Sequence, residues 1–222
     1  MSGKAAVFFD LDGTLLDSIE DLADSMNAVL ERNGLPVHPL ESYLYFVGDG
    51  AASLVDRALP EGLATSDDAR RGFLEEYRTE YAGRWRSKSR LYDGVTEMLD
   101  RLVEMDDILL TVLSNKPHLF TAQCVEHFLD GWDFSMVLGQ RDEVPRKPDP
   151  AGALEIAERL GVPVEDCLFV GDTSVDILTG RAAGMRTVGV LWGFRPESEL
   201  RDAGAHSVIA SPGDLLECLT DV

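Results

Sequence analysis

The sequence predicts an α/β protein, a doubly wound and mainly parallel sheet with an all-helical subdomain inserted near its start. Three observations carry this. Six short apolar runs recur along the chain, greasy on both faces, as strands covered by helices on each side must be. Helical patterns separate most of them, and strand-helix-strand repetition favours parallel pairing in a Rossmann-like core. One long stretch, residues 17–88, holds helical patterns and no good strand.

Taken in order, the first strand is 5–10 (AAVFFD), which runs into Asp12 and Gly13. The insert follows. Its first helix starts at Ser18, with Asp21 three residues on as a near capping box, and carries Ile19, Leu22, Met26 and Val29 on one face. Asn33-Gly34 stops it, with Pro36 beyond. A second helix runs through AASLVDRAL, and a third through ARRGFLEEYRTEYAGRW, where Tyr77, Tyr81 and Trp85 recur at helical spacing as the insert's own core. A crossover needs one helix, so three mark a subdomain. The expected division is 1–16 with 89–222 as the core and 17–88 as a helical cap, joined by two crossings near 14–18 and 86–93 that could hinge.

Beyond the insert, GVTEMLDRLVEM places Val95, Met98, Leu99 and Leu102 on one helical face. Strands follow at 108–113 (ILLTVL) and 135–139 (SMVLG). In PDPAGALEIAERLG a proline sits in the first turn and Gly161 at the end, the usual start and stop asymmetry. The last strands are 167–171 (CLFVG), 187–191 (TVGVL) and 207–210 (SVIA).

The 222 residues, 45% apolar and 27% charged, suit an ordinary globular protein. No apolar run approaches the length of a membrane helix and no secretory signal opens the chain, which predicts a cytoplasmic protein without a membrane partner. Cys124, Cys167 and Cys218 show no metal spacing and read as small buried residues. Forty acids against twenty bases give a net charge of −20. Such a surface repels nucleic acid, so none is expected as a partner. Sixteen of the bases are Arg and only four are Lys, a balance that suits a high-salt interior where self-repulsion is screened.

In open α/β sheets ligands bind beyond the carboxyl ends of the strands. Asp10 and Asp12 end the first strand. LSNKP puts Ser114 and Asn115 at another strand end, followed by Lys116. VPRKPDP supplies Lys147 ahead of a helix, and LFVGDTSVD supplies Asp172, with Asp176 one helical turn on. Acids gathered at one edge need a counter-charge, and an all-oxygen set without His or Cys suits Mg²⁺ rather than zinc. A carboxylate nucleophile, a hydroxyl, a lysine and Mg²⁺ together suit phosphoryl transfer through an aspartyl phosphate. Asp10 would attack phosphorus. Asp12, on the same face two residues on, would protonate the leaving alkoxide and later take a proton from water. In the insert, the VGDG loop at 47–50 offers Gly48 and Gly50, whose bare N–H groups could receive a substrate carboxylate. Arg57 reads as a surface ion pair.

DLDGTL, LSNKP, a lysine before PDP, and GDTSVD stand in the order of the four motifs of the haloacid dehalogenase superfamily of phosphohydrolases. The sequence resembles that superfamily over nearly its whole length, with the cap inserted as in its smaller-cap branch. FVGDGAASLVDRAL, LYDGV and LSNKP resemble the phosphoglycolate phosphatases within it. The resemblance implies Asp10 as nucleophile, Asp12 as general acid/base, and Mg²⁺ held by Asp10, the main-chain carbonyl of Asp12 and Asp172. It implies Ser114 and Asn115 on the phosphoryl group, Lys147 neutralising nucleophile and phosphate, and Asp176 orienting the metal site from further out. The departure is Thr173-Ser174, so nothing acidic directly follows Asp172. The implied partner is a small phosphorylated metabolite. Phosphosugar phosphatase, pyrophosphatase and phosphoglucomutase are rivals of the same family. A phospho-accepting receiver-type signalling domain is the rival of a different class, shorter and uncapped.

Overall fold

The computed structural model describes residues 4–63 and 66–219; residues 1–3 and 220–222 of the expected core and 64–65 of the expected cap lie outside it. In chain order the elements are β1 (Ala5–Phe9), β2 (Leu16–Asp17), α1 (Ile19–Arg32), α2 (Leu40–Phe46), α3 (Ala51–Ala58), α4 (Asp67–Arg84), β3 (Arg90–Leu91) and α5 (Val95–Val103). There follow β4 (Ile108–Pro117), α6 (His118–Phe128), β5 (Phe134–Gln140), α7 (Ala151–Leu160), β6 (Cys167–Gly171), α8 (Ser174–Ala182), β7 (Arg186–Val190), α9 (Glu197–Asp202), β8 (Ser207–Ile209) and α10 (Leu215–Cys218). Contacts divide the chain into two units, one of them Asp17–Arg90 and the other formed by the segments up to Leu16 and from Leu91 on.

The larger unit is a six-stranded sheet in the order β5-β4-β1-β6-β7-β8, every pairing parallel. All six strands foreseen from the apolar runs are present. Phe9 of β1 is level with Val112 of β4 and with Val170 of β6. One or two residues further, Asp10, Ser114 and Asp172 therefore come level at the same carboxyl edge, Ser114 still within β4. β1 is where the strand order reverses, the position at which such sheets open a crevice. Below it the sheet is apolar: the Phe8 and Phe169 rings stack at 6.0 Å and pack with Leu113, Ile156 and Ala157. Burying each of these rings contributes roughly 2–3 kcal/mol of transfer free energy.

The smaller unit holds α1 to α4. Ile19, Leu22, Met26 and Val29 are buried along α1, as its spacing predicts, and Tyr77 and Tyr81 are buried and stacked on α4. Two details differ from expectation. Asp21 does not complete a capping box with Ser18, whose side chain makes no cap bond to the helix. The buried Asp21 carboxylate instead accepts the N–H groups of Lys88 and Ser89 at 2.9–3.0 Å and the Ser89 hydroxyl at 2.7 Å, tying the returning chain to α1. α2 was not foreseen. Seven residues are too few to show a helical period, and Tyr43 is the one it buries. Where the chain leaves and re-enters the larger unit it forms the two-stranded sheet β2-β3, whose two-residue strands leave no pattern in a sequence. Cys124 and Cys167 are buried free thiols and Cys218 is half-buried. Among the described residues no helix is long and apolar enough to cross a membrane.

Candidate active site

Four segments of the larger unit deliver the site. Asp10 follows β1 directly, its N–H bonded to Val170 O at 3.0 Å. The chain then folds into a tight turn in which the N–H groups of Thr14, Leu15 and Leu16 all reach Leu11 O. Gly13 is required in that turn. Its φ is 91°, and a Cβ there would lie inside the Asp172 carboxylate. Gly171 and Gly193 are required for the same kind of reason, since a Cβ at either would overlap Asp176 or Asp172.

Lys147 is the hub. Its ammonium, buried, lies 2.9 Å from Asp10 Oδ1 and donates to Asp176 Oδ1 at 2.6 Å. It also stands 5.6 Å above the Phe169 ring, on the apolar floor of the sheet. Asn115 holds the Lys147 backbone by both ends of its amide: Nδ2 donates to Lys147 O at 3.0 Å, and Oδ1 accepts Lys147 N–H at 2.9 Å. The amide expected on the phosphoryl group thus clamps the lysine loop. Ser114 lies within β4, which runs on to Pro117 rather than ending at residue 113, and is buried, its Oγ accepting Lys116 N–H at 3.3 Å.

Asp176 sits at the third position of α8. Its Oδ2 accepts the Thr173 N–H at 3.1 Å and the Thr173 hydroxyl at 2.7 Å, closing a capping box that leaves Oδ1 for Lys147. Asp172 Oδ2 accepts Phe194 N–H at 2.8 Å, and Oδ1 accepts the Thr14 hydroxyl at 3.3 Å. Carboxylate oxygens of Asp10, Asp172 and Asp176 all lie within 4.8 Å of one another. Asp176, expected further out, therefore belongs to the same cluster as the other two. The Asp12 carboxylate goes elsewhere: both its oxygens accept Lys116 Nζ, at 2.9 and 2.8 Å.

Burial raises the Asp10 carboxyl to about 6; Lys147 opposes the rise and Asp176 adds to it. Burial also drives Asp172 well above the ordinary range, with the Asp176 and Asp10 charges reinforcing it. For Lys147 burial pulls downward, but the Asp10 and Asp176 carboxylates outweigh it and hold the ammonium charged. Three buried carboxylates share one ammonium and cannot readily ionise together without a further positive charge. An all-oxygen donor set that needs such a charge fits a hard divalent cation.

Two contributors were not foreseen. Lys116, which the sequence places only as the residue after the binding loop, pairs with Asp12; the chain has only four lysines and two of them are buried here. The segment after β7, LWGFR, supplies Phe194 N–H to Asp172, and Trp192 Nε1 bonds Thr14 O at 2.9 Å. Its signal was its place, after another strand at the same edge. Gly48 and Gly50 belong to the smaller unit, at φ 118° and 86° ahead of α3. Arg57 wraps their loop, bonding Asp49 and the carbonyls of Tyr45 and Phe46 at 3.2 and 3.1 Å, so it is the ion pair expected.

Comparison with known proteins agrees with this layout. The family model of haloacid dehalogenase-like hydrolases matches residues 4–184. Phosphoglycolate phosphatase from Xanthomonas campestris is 38% identical over 192 residues, 86% of this chain and 84% of that protein. Phosphoglycolate phosphatase 1 from Pseudomonas aeruginosa is 32% identical over 219 residues, 96% of this chain and 78% of that one. The crystal structure of a predicted phosphoglycolate phosphatase from Haemophilus somnus superposes with a TM-score of 0.89 at 28% identity, covering 98% of this chain and 99% of that one.

Proposed function

The chain belongs to the haloacid dehalogenase-like hydrolases, and from that premise we propose that it is a Mg²⁺-dependent phosphatase that hydrolyses phosphoglycolate through an aspartyl phosphate. The observation that carries the reading is Lys147, one buried ammonium shared between Asp10 and Asp176 at the edge where Asp172 and Ser114 also emerge. The names of its relatives support the substrate.

In this reading Asp10 attacks phosphorus while Asp12 gives a proton to the leaving alkoxide, so the oxygen–phosphorus bond to Asp10 forms as the ester bond breaks. Lys147 and the Ser114 hydroxyl hold the transferring phosphoryl oxygens, and Asn115 keeps the lysine loop in place. Water then adds to phosphorus, Asp12 takes its proton, and the bond to Asp10 breaks to release phosphate. Asp10, Asp172 and the main-chain carbonyl of Asp12 would hold Mg²⁺, with Asp176 fixing Lys147 beside them. Such an ion supplies positive charge to the phosphoryl oxygens as the bond to the leaving group lengthens. Gly48 and Gly50 are assigned to the substrate's carboxylate.

A panel of phosphoglycolate, sugar phosphates, pyrophosphate and p-nitrophenyl phosphate, each with Mg²⁺ and with EDTA, tests this. Phosphoglycolate should give the highest kcat/KM, by roughly tenfold or more, the low end of the discrimination that one pocket difference gives, and EDTA should abolish turnover. Equal rates on sugar phosphates would remove the narrower substrate. A single stoichiometric burst would make the chain a phospho-accepting switch instead.

A further inference from the structure

We propose that Lys116 is the positioning residue for Asp12, and that the reaction depends on it as it depends on Lys147 for Asp10. This rests on the phosphatase reading above. Two aspartates one residue apart repel each other, and the structure sets a different ammonium against each: Lys147, shared with Asp176, at 2.9 Å from Asp10 Oδ1, and Lys116 on both oxygens of Asp12. In a chain where only four of twenty bases are lysines, both of these side chains are nearly fully buried, at 3% and 4% exposure.

Lys116 is itself held at every point. Its N–H donates to Ser114 Oγ. Its carbonyl accepts the Thr121 hydroxyl at 3.0 Å from α6, and Gly139 of β5 packs so closely on that carbonyl that a Cβ would overlap it. The direction of the Asp12 carboxylate is thereby inherited from β4, α6 and β5. A group that takes a proton from water has to be held to within a fraction of an ångström of it, and a two-point contact to a fixed ammonium restrains the ionised Asp12 carboxylate in that way. Lys116 acts through Asp12, without touching the substrate.

The test is a double-mutant cycle of Lys116→Met and Asp12→Asn, with Lys116→Gln in place of methionine should that variant fail to fold. Steady-state kinetics on p-nitrophenyl phosphate at saturating Mg²⁺ give kcat and KM, and thermal unfolding checks each variant. With Asp12 present, Lys116→Met should lower kcat by roughly 10- to 100-fold, the cost of a misplaced catalytic group, and leave KM within about threefold. In the Asp12→Asn background the same substitution should change kcat by less than about twofold, because nothing remains to position. An equal loss in both backgrounds would overturn the proposal, as would a rise in KM with kcat unchanged, which would put Lys116 on the substrate. Failure of the wild-type protein to turn over any phosphomonoester would instead sink the phosphatase reading.

Discussion

Asp10→Asn should stabilise the metal-free protein above about pH 6, although it destroys the nucleophile. Burial lifts the Asp10 carboxyl from 3.8 to about 6. A group that binds its proton more tightly when folded adds stability below its unfolded value, and that contribution is lost as pH climbs through the folded one. At 1.36 kcal/mol for each tenfold in proton affinity, the interval from 3.8 to about 6 comes to about 3 kcal/mol. Asparagine has no charge to bury and keeps an oxygen for Lys147. In urea unfolding of EDTA-treated protein, the variant's advantage should be near zero at about pH 4 and reach about 3 kcal/mol by about pH 7. Mg²⁺ should cancel most of that advantage, since an ion at a hundredfold above its Kd adds about 2.7 kcal/mol to the protein that binds it. An advantage that did not change with pH, or a variant weaker than wild type at pH 7 without metal, would refute the electrostatic account.

Gly13→Ala should cost about 3 kcal/mol, from strain at φ 91° and from a methyl group driven into the Asp172 carboxylate. The same change should raise the Mg²⁺ concentration needed for half-maximal activity, read by titration. Asp21→Ala strips the partners from the N–H groups of Lys88 and Ser89. We expect a loss of about 3 kcal/mol and faster proteolysis around residues 86–90, followed by gel and mass spectrometry. The net charge of −20 makes melting temperature rise with KCl as self-repulsion is screened. A rise of about 4 °C or more between 0.1 and roughly 2 M is expected, equivalent to roughly 1–2 kcal/mol for a chain this size.

The sheet was legible because its strands are buried on both faces: an uninterrupted run such as AAVFF has few other places to go. The acids were legible because strand ends in a parallel sheet converge, so Asp10, Ser114 and Asp172 could be assigned to one edge without a structure. What stayed hidden depends on tertiary pairing. Whether Asn115 faces a ligand or the Lys147 backbone is decided by a loop 32 residues away. Whether Asp21 caps its own helix or grips Ser89 is decided 68 residues away. Lys116 differs from a surface lysine only in what lies opposite it, and the 192–194 segment acts through a main-chain N–H that leaves no residue signature.

The most direct measurement is acid quenching of the enzyme during turnover of a phosphomonoester with Mg²⁺, followed by peptide mapping of any phosphoryl adduct. The account predicts the adduct on Asp10, present in the wild type and more abundant in Asp12→Asn, where water lacks its base. Steady phosphate release with no adduct at Asp10, or with the adduct on another side chain, would contradict it.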